Sequence, residues 1–173
     1  MSVAAPPLTL RPPRPSDRGR VLEIVRATGV FRPSEVDIAL EVFDGAVQKP
    51  GVDYHALGAY DDAERLIGFA CYGSTPGTEG TWDLYWIAVD PGTHRRGVGR
   101  ALMAACERAI ADAGGRLVVV ETSSRPDYGP TRAFYQALAY GATARIPDFY
   151  APGDDLVVYA KRLVPSTSER PHG

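Results

Sequence analysis

Cysteine is scarce in this sequence: two in 173 residues, Cys71 and Cys106, too few for a disulfide framework. Both sit in apolar runs and read as buried free thiols of a reducing compartment. A nucleophilic Cys71 is the other reading, but no histidine stands near it in sequence. Long apolar runs are missing too, and nothing approaches the roughly 18 residues of a membrane span. The start, Met-Ser-Val-Ala-Ala-Pro-Pro, lacks the charged and apolar regions of a signal peptide, so a cytoplasmic protein is expected. Neither charge sign dominates. Lys plus Arg total 19 against 21 Asp plus Glu, a net charge of -2. That argues against a nucleic-acid partner, which usually demands a basic excess.

What is present suits one soluble α/β domain with 45% hydrophobic and 23% charged residues. Leu8–Arg11 reads as a short strand before Pro12, Pro13 and Pro15. Ser16 or Asp17 can cap a helix over about 17–28, and Ser34 begins a second that Pro50-Gly51 ends. Three strands follow at Tyr54–Tyr60, Leu66–Gly73 and Thr81–Val89. The clearest helix runs from Arg96 to about Ala113, with Val98, Leu102, Cys106 and Ile110 recurring every four residues. Leu117–Glu121 is a β-branched strand suited to burial on both faces. A helix at about Pro130–Ala139 and strands near Ala142–Ile146 and Leu156–Lys161 complete a mixed sheet with flanking helices. The domain is expected over residues 8–163, with flexible termini at 1–7 and 164–173.

One loop carries most of the functional information. After the strand ending at Val89 come Thr93-His94-Arg95-Arg96-Gly97-Val98-Gly99-Arg100, and then the helix. Two glycines two apart at a helix start let the backbone approach a ligand, with amide N–H groups aimed at it. The helix dipole favours an anion there, and Arg95, Arg96 and Arg100 add positive charge. The pattern predicts a pyrophosphate site. It is not a P-loop, because the Gly-x-x-x-x-Gly-Lys-Ser/Thr spacing is missing. A dinucleotide fingerprint would need Gly or Ala where Leu102 stands, although Glu121 lies at a suitable distance for a ribose contact. A glycine-relieved turn with three solvated arginines is the structural alternative.

Trp82 to Val89 followed by His94 to Leu102 resembles the acetyl-CoA-binding core of the GCN5-related N-acetyltransferases. The usual motif is Gln/Arg-x-x-Gly-x-Gly/Ala, so His94 departs from it at the first position. The segment Thr131 to Tyr140 is similar to that family's closing segment: Tyr128 takes its Asn position, Thr131 its Ala and Ala139 its Gly, and Tyr135 is kept. The resemblance spans residues 8 to about 163. It implies that Ile87, Ala88 and Val89 align the pantetheine arm, and that the amides of His94 to Arg100 take the pyrophosphate. Tyr128 and Arg132 join the cofactor side. No metal is expected.

The same resemblance implies transfer of an acetyl group to a primary amine of a small molecule, amino acid or peptide. A lysine-like amine with pKa near 10.4 costs about 4–5 kcal/mol to deprotonate at pH 7, so a positioned base is useful. Asp83 stands where some members of the family place a glutamate base; it is either that base or an orienter of the ammonium. Tyr135 is the implied partner of the departing thiolate, with aromatic packing beside Phe134 as its alternative. Tyr72, Tyr85, Glu121 and Tyr150 are expected on the acceptor side, with Phe149 and the aspartates at 148, 154 and 155. Arg125 and Arg132 can instead hold a carboxylate, which would favour an amino acid. A catalytically silent acyl-CoA-binding module is the rival function, and a homodimer is compatible with either.

Overall fold

A computed structural model describes residues 8–93 and 97–164. The expected termini, 1–7 and the stretch 165–173, lie outside the described residues. The strand order along a single sheet is β1-β2-β3-β4-β5-β7-β6, and the mixed α/β class read from the sequence holds. β1 is Thr9–Arg11, β2 His55–Tyr60, β3 Leu66–Ser74, β4 Thr81–Val89, β5 Leu117–Ser123, β6 Gly141–Ala151 and β7 Asp154–Arg162. Among the described residues four α-helices accompany them: α1 Arg18–Ala27, α2 Pro33–Gln48, α3 Val98–Asp112 and α4 Gly129–Ala137. No described helix is long and apolar enough to cross a membrane.

The helices cover both faces because each carries one apolar stripe. Val21, Ile24 and Val25 of α1 meet Val36, Leu40 and Phe43 of α2 over Phe69 and Cys71 of β3. The rings of Phe43 and Phe69 meet edge to face at 6.1 Å. On the opposite face, Met103, Cys106 and Ile110 of α3 pack on Leu84, Val118 and Val120. β3 is buried along almost its whole length, as a central strand covered on both sides must be. Each large side chain so enclosed stabilises the fold by about 1.5–3 kcal/mol.

Two helix starts differ from the capping pattern read in the sequence. Asp17 ends a 3-10 turn, Pro15–Asp17, and its carboxylate accepts from the Arg14 amide and the Tyr60 hydroxyl, each at 2.7 Å, rather than from the amides of α1. α2 begins at Pro33, one residue before Ser34, with Glu35 returning to the Arg32 amide at 2.6 Å. The last hairpin is also longer than its apolar runs, because β6 reaches Ala151 through exposed residues held only by β7.

Two features of β4 shape everything that follows. Its ladder to β3 pairs Trp86 with Cys71 and Leu84 with Tyr72, leaving Tyr85 as the extra residue of a bulge. Before the bulge, Trp82 and Leu84 pack toward α3. After it, Trp86 and Ala88 pack toward α1 and α2, while Ile87 and Val89 take the α3 side. The second feature is the parallel ladder to β5. It runs from Thr81↔Leu117 to Leu84↔Val120 and goes no further among the described residues. β5 stays with β7 as far as Ser123↔Leu156, so β4 and β5 diverge from the bulge onward.

Candidate active site

The divergence leaves one side of Tyr85–Val89 without a neighbouring strand, and two grooves open there. The first, of about 650 Å³, is lined by Ile87, Ala88, Val89, Gly97, Val98, Gly99 and Arg100, with Thr131 and Phe134 of α4 opposite. Main-chain groups on an open strand edge are unpaired donors and acceptors, able to take an extended amide-bearing ligand as an added strand. At the end of that edge α3 begins. Its first helical bond runs from the Ala101 amide to the Gly97 carbonyl at 2.9 Å, and the N-cap residue, Gly97, has no side chain to cap the helix. The amides of Val98, Gly99 and Arg100 therefore have no helical acceptor and suit a phosphate.

Glycine is favoured at both loop positions, for different reasons. Gly97 has φ 81°, a left-handed conformation that a Cβ disfavours. At Gly99 a Cβ would stand 3.3 Å from the Phe134 ring and 3.7 Å from Val89, filling the floor of the groove. The strand end is anchored by Asp90, which accepts from the Gly92 amide at 2.9 Å and pairs with Arg20. Burial would raise the Asp90 pKa, but these two partners outweigh it and hold the carboxyl below its ordinary value. The expected contacts His94, Arg95 and Arg96 lie outside the described residues.

The second groove, about 600 Å³, adjoins the first and shares Phe31, Ile87 and Thr131 with it. It brings together Asp83, Tyr85, Glu121, Tyr128, Tyr135 and Tyr150 from five separate segments. Thr75 donates to Asp83 Oδ2 at 2.6 Å. Tyr135 is 4% exposed, and burial, with a smaller contribution from Tyr128, pushes its hydroxyl above the ordinary tyrosine range. It therefore stays protonated and can act as a donor.

Other expected site residues stand elsewhere. Tyr72 is buried between His55 and Trp82, its ring stacked on His55 at 5.2 Å, and lines neither groove. Tyr128 lines the second groove and not the first, held between Phe31 at 6.2 Å and the Arg125 guanidinium at 5.0 Å. Arg132 donates to the carbonyls of Ser123 and Arg125 at 2.7 and 2.9 Å, bracing the turn after β5 away from both grooves. Phe149 packs edge to face on Tyr150 at 5.0 Å.

Reading the sequence alone missed Phe31, Arg32, Glu35, Trp86 and Thr122, all of which line the second groove. Glu35 carried one signal, its capping-box spacing from residue 32, but that spacing speaks of a helix start rather than a cleft. The bulge at Tyr85 puts Trp86 on the α1 and α2 side of β4, beside Phe31 in the cleft. Its indole Nε1 and the Thr122 hydroxyl are buried with no hydrogen-bond partner among the described residues. No cluster of three metal-ligating side chains occurs among the described residues.

The profile of the acetyltransferase (GNAT) family matches residues 23–140. Mycothiol acetyltransferase of Segniliparus rotundus is 28% identical over 138 residues, covering 76% of this chain and 50% of its own length. The chain thus spans about half the length of that curated relative. A GNAT-family protein from Desulfovibrio desulfuricans superposes with a TM-score of 0.86 at 40% identity, covering 91% of this chain and all of its own. An aminoglycoside 6'-N-acetyltransferase solved with coenzyme A gives a TM-score of 0.71 at 18% identity, over 95% and 99% of the two chains, a likeness of fold.

Proposed function

Because this chain belongs to the acetyltransferase (GNAT) family, we propose that it transfers an acetyl group from acetyl-CoA directly to a primary amine, in the cytoplasm. The observation that carries the reading is the meeting of the two grooves at Ile87 and Thr131, with Asp83 and Tyr135 both on the second.

The residues of the first groove fit acetyl-CoA. The open edge of Ile87–Val89 suits an amide-bearing arm, the amides of Val98 to Arg100 a pyrophosphate, and the glycine floor a close backbone approach. When bound, acetyl-CoA supplies the thioester carbon and a thiol leaving group. The remaining chemistry belongs to the chain. Asp83, its Oδ2 held by Thr75, accepts a proton from the ammonium of the acceptor, directly or through a water. Tyr135, kept neutral by burial, donates to the sulfur as charge develops there. Phe31 and Trp86, with ring centroids 4.9 Å apart, form an apolar wall that limits water at the reacting nitrogen.

The acceptor belongs to the amines in the broad sense: small molecule, amino acid or peptide. The test is release of free thiol from acetyl-CoA against a panel of amines. Acceptor-dependent release supports the reading. Tight coenzyme A binding without release, for every acceptor tried, would instead favour a silent acyl-CoA-binding module of the same fold.

A further inference from the structure

Tyr128 lines the second groove but takes no part in the transfer steps. It closes the 3-10 turn Pro126–Tyr128 and stands as the N-cap of α4. Thr131 and Tyr135, three and seven residues on, therefore fall on its side of the helix, and both line the same groove. Tyr128 is 7% exposed, and two neighbours fix its ring. Phe31 meets it edge to face at 6.2 Å, and the Arg125 guanidinium stands over it at 5.0 Å. Arg125 is itself tied to the Val30 carbonyl at 2.6 Å.

The hydroxyl of this fixed ring is unpartnered. It makes no hydrogen bond among the described residues and, unlike the Thr122 hydroxyl, is not sealed off from the groove. A buried ring that presents a free hydroxyl to a cleft is a donor and an acceptor already in position. The first groove does not include Tyr128, so the ligand it faces is the acceptor and not the coenzyme. The charges around it are mixed. Burial raises the pKa of the Tyr128 hydroxyl most, Glu35 raises it further and Arg125 lowers it. A full charge of either sign placed there meets one like charge, Glu35 or Arg125, whereas an uncharged dipole meets none.

We propose that Tyr128 is a specificity-determining residue, whose hydroxyl hydrogen-bonds an uncharged hydroxyl or amide group of the acceptor while the amine of the same molecule lies at Asp83. The proposal rests on the N-acetyltransferase reading and narrows its acceptor to amino alcohols and amino amides. An acceptor with a methyl group in that place strips water from the Tyr128 hydroxyl and leaves it unpaired. A polar site rejects such an analogue far more strongly than an apolar pocket rejects one lacking a methylene. The wall of Phe31 and Trp86, 4.9 Å apart, takes the apolar stem between the two ends.

The experiment uses matched pairs that exchange the polar group for methyl groups: 2-aminoethanol with propylamine, 3-aminopropanol with butylamine, glycinamide with isobutylamine and β-alaninamide with isopentylamine. Each is measured by thiol release from acetyl-CoA and by thermal shift with coenzyme A, on wild type and on Tyr128→Phe, which keeps the ring. The expected result is a wild-type preference for the polar member of at least one pair, about 10- to 100-fold in kcat/KM per neutral amine. That ratio should fall toward unity in Tyr128→Phe. Amine basicity is common to both proteins and cancels. A purely structural lesion lowers both members alike, so a ratio unchanged by the substitution overturns the proposal. Equal use of both members of every pair by wild type overturns it too, whether or not the variant folds, and leaves the acetyltransferase reading intact. If no amine is acetylated, that reading fails and the thermal shift decides. A larger shift from the polar member, lost in Tyr128→Phe, supports the contact, and equal shifts within every pair overturn it.

Discussion

The hydroxyl of Thr75 donates a 2.6 Å hydrogen bond to Oδ2 of Asp83, across the turn that joins β3 to β4. A carboxylate so held presents its remaining lone pairs in one direction, which is what a proton acceptor for a bound ammonium needs. The contact runs diagonally across the Ser74↔Trp82 pair: Asp83 is paired with Gly73, and the Thr75 amide donates to the Thr81 carbonyl at 2.9 Å, so strand pairing fixes both ends of it.

Asp83→Asn should lower turnover by about 10²–10⁴, the usual contribution of a positioned base. The deficit should shrink as the assay pH approaches the pKa of the acceptor, because the neutral amine then needs no base. Thr75→Val should cost roughly fivefold, one modest hydrogen bond, and Thr75→Ser should retain activity. A pH–rate series on the three variants checks this, and an Asp83→Asn profile parallel to wild type would remove Asp83 from the proton path.

Tyr135→Phe should cut kcat about 10- to 100-fold with acetyl-CoA affinity nearly unchanged, because the lost hydroxyl acts only as charge develops on sulfur. With its pKa raised above the ordinary value of 10.0, Tyr135 remains a donor throughout a normal assay range. Pre-steady-state turnover and calorimetric binding of acetyl-CoA separate the two quantities. A weakened affinity with normal kcat would assign the ring to packing instead.

Gly97→Ala should destabilise the protein by about 1–2 kcal/mol, the penalty of a left-handed L-residue, lowering Tm by a few degrees. The cost is conformational, since among the described residues, chain neighbours aside, no atom lies within 4 Å of the added Cβ. Gly99→Ala acts differently. Its methyl must displace the Phe134 ring, so the expected loss falls on acetyl-CoA affinity. Thermal melts and cofactor titrations distinguish the two outcomes.

Stability should fall as pH rises above about 9–10. Cys71 and Cys106 are buried, and burial raises both thiols above their ordinary 9.0, Cys106 to about 12. Tyr60, Tyr135 and Tyr140 are raised above 10.0 by burial first, with Tyr60 and Tyr140 also near carboxylates. The folded state then holds protons that the unfolded chain releases, so unfolding is favoured as pH increases through that window. Melting temperature measured from pH 8 to 11 checks the sign. Both thiols should also resist alkylation in the native protein, keeping the background low in a thiol-release assay.

Much of the fold was legible because it is local. Apolar residues every four positions in α3, β-branched runs in β5 and Pro or Gly punctuation between elements are short-range patterns, and chain order set the topology class. The Gly97-Val98-Gly99 loop was equally legible, since backbone conformation dictates glycine wherever a chain turns sharply against a phosphate-sized space.

Only the tertiary structure decided which side chains meet. A one-residue bulge at Tyr85 moved Trp86 into the cleft, while Tyr72 packed between His55 and Trp82. An ion pair joins Arg32, which lines the cleft, to Asp154, 122 residues away in sequence. Local pattern cannot encode such events, because register offsets and distant ion pairs depend on how separate elements pack. The sequence alone therefore determined a glycine-bearing strand-to-helix loop of the kind expected to take a pyrophosphate. Which side chains stand opposite it emerged only when the separate elements had packed.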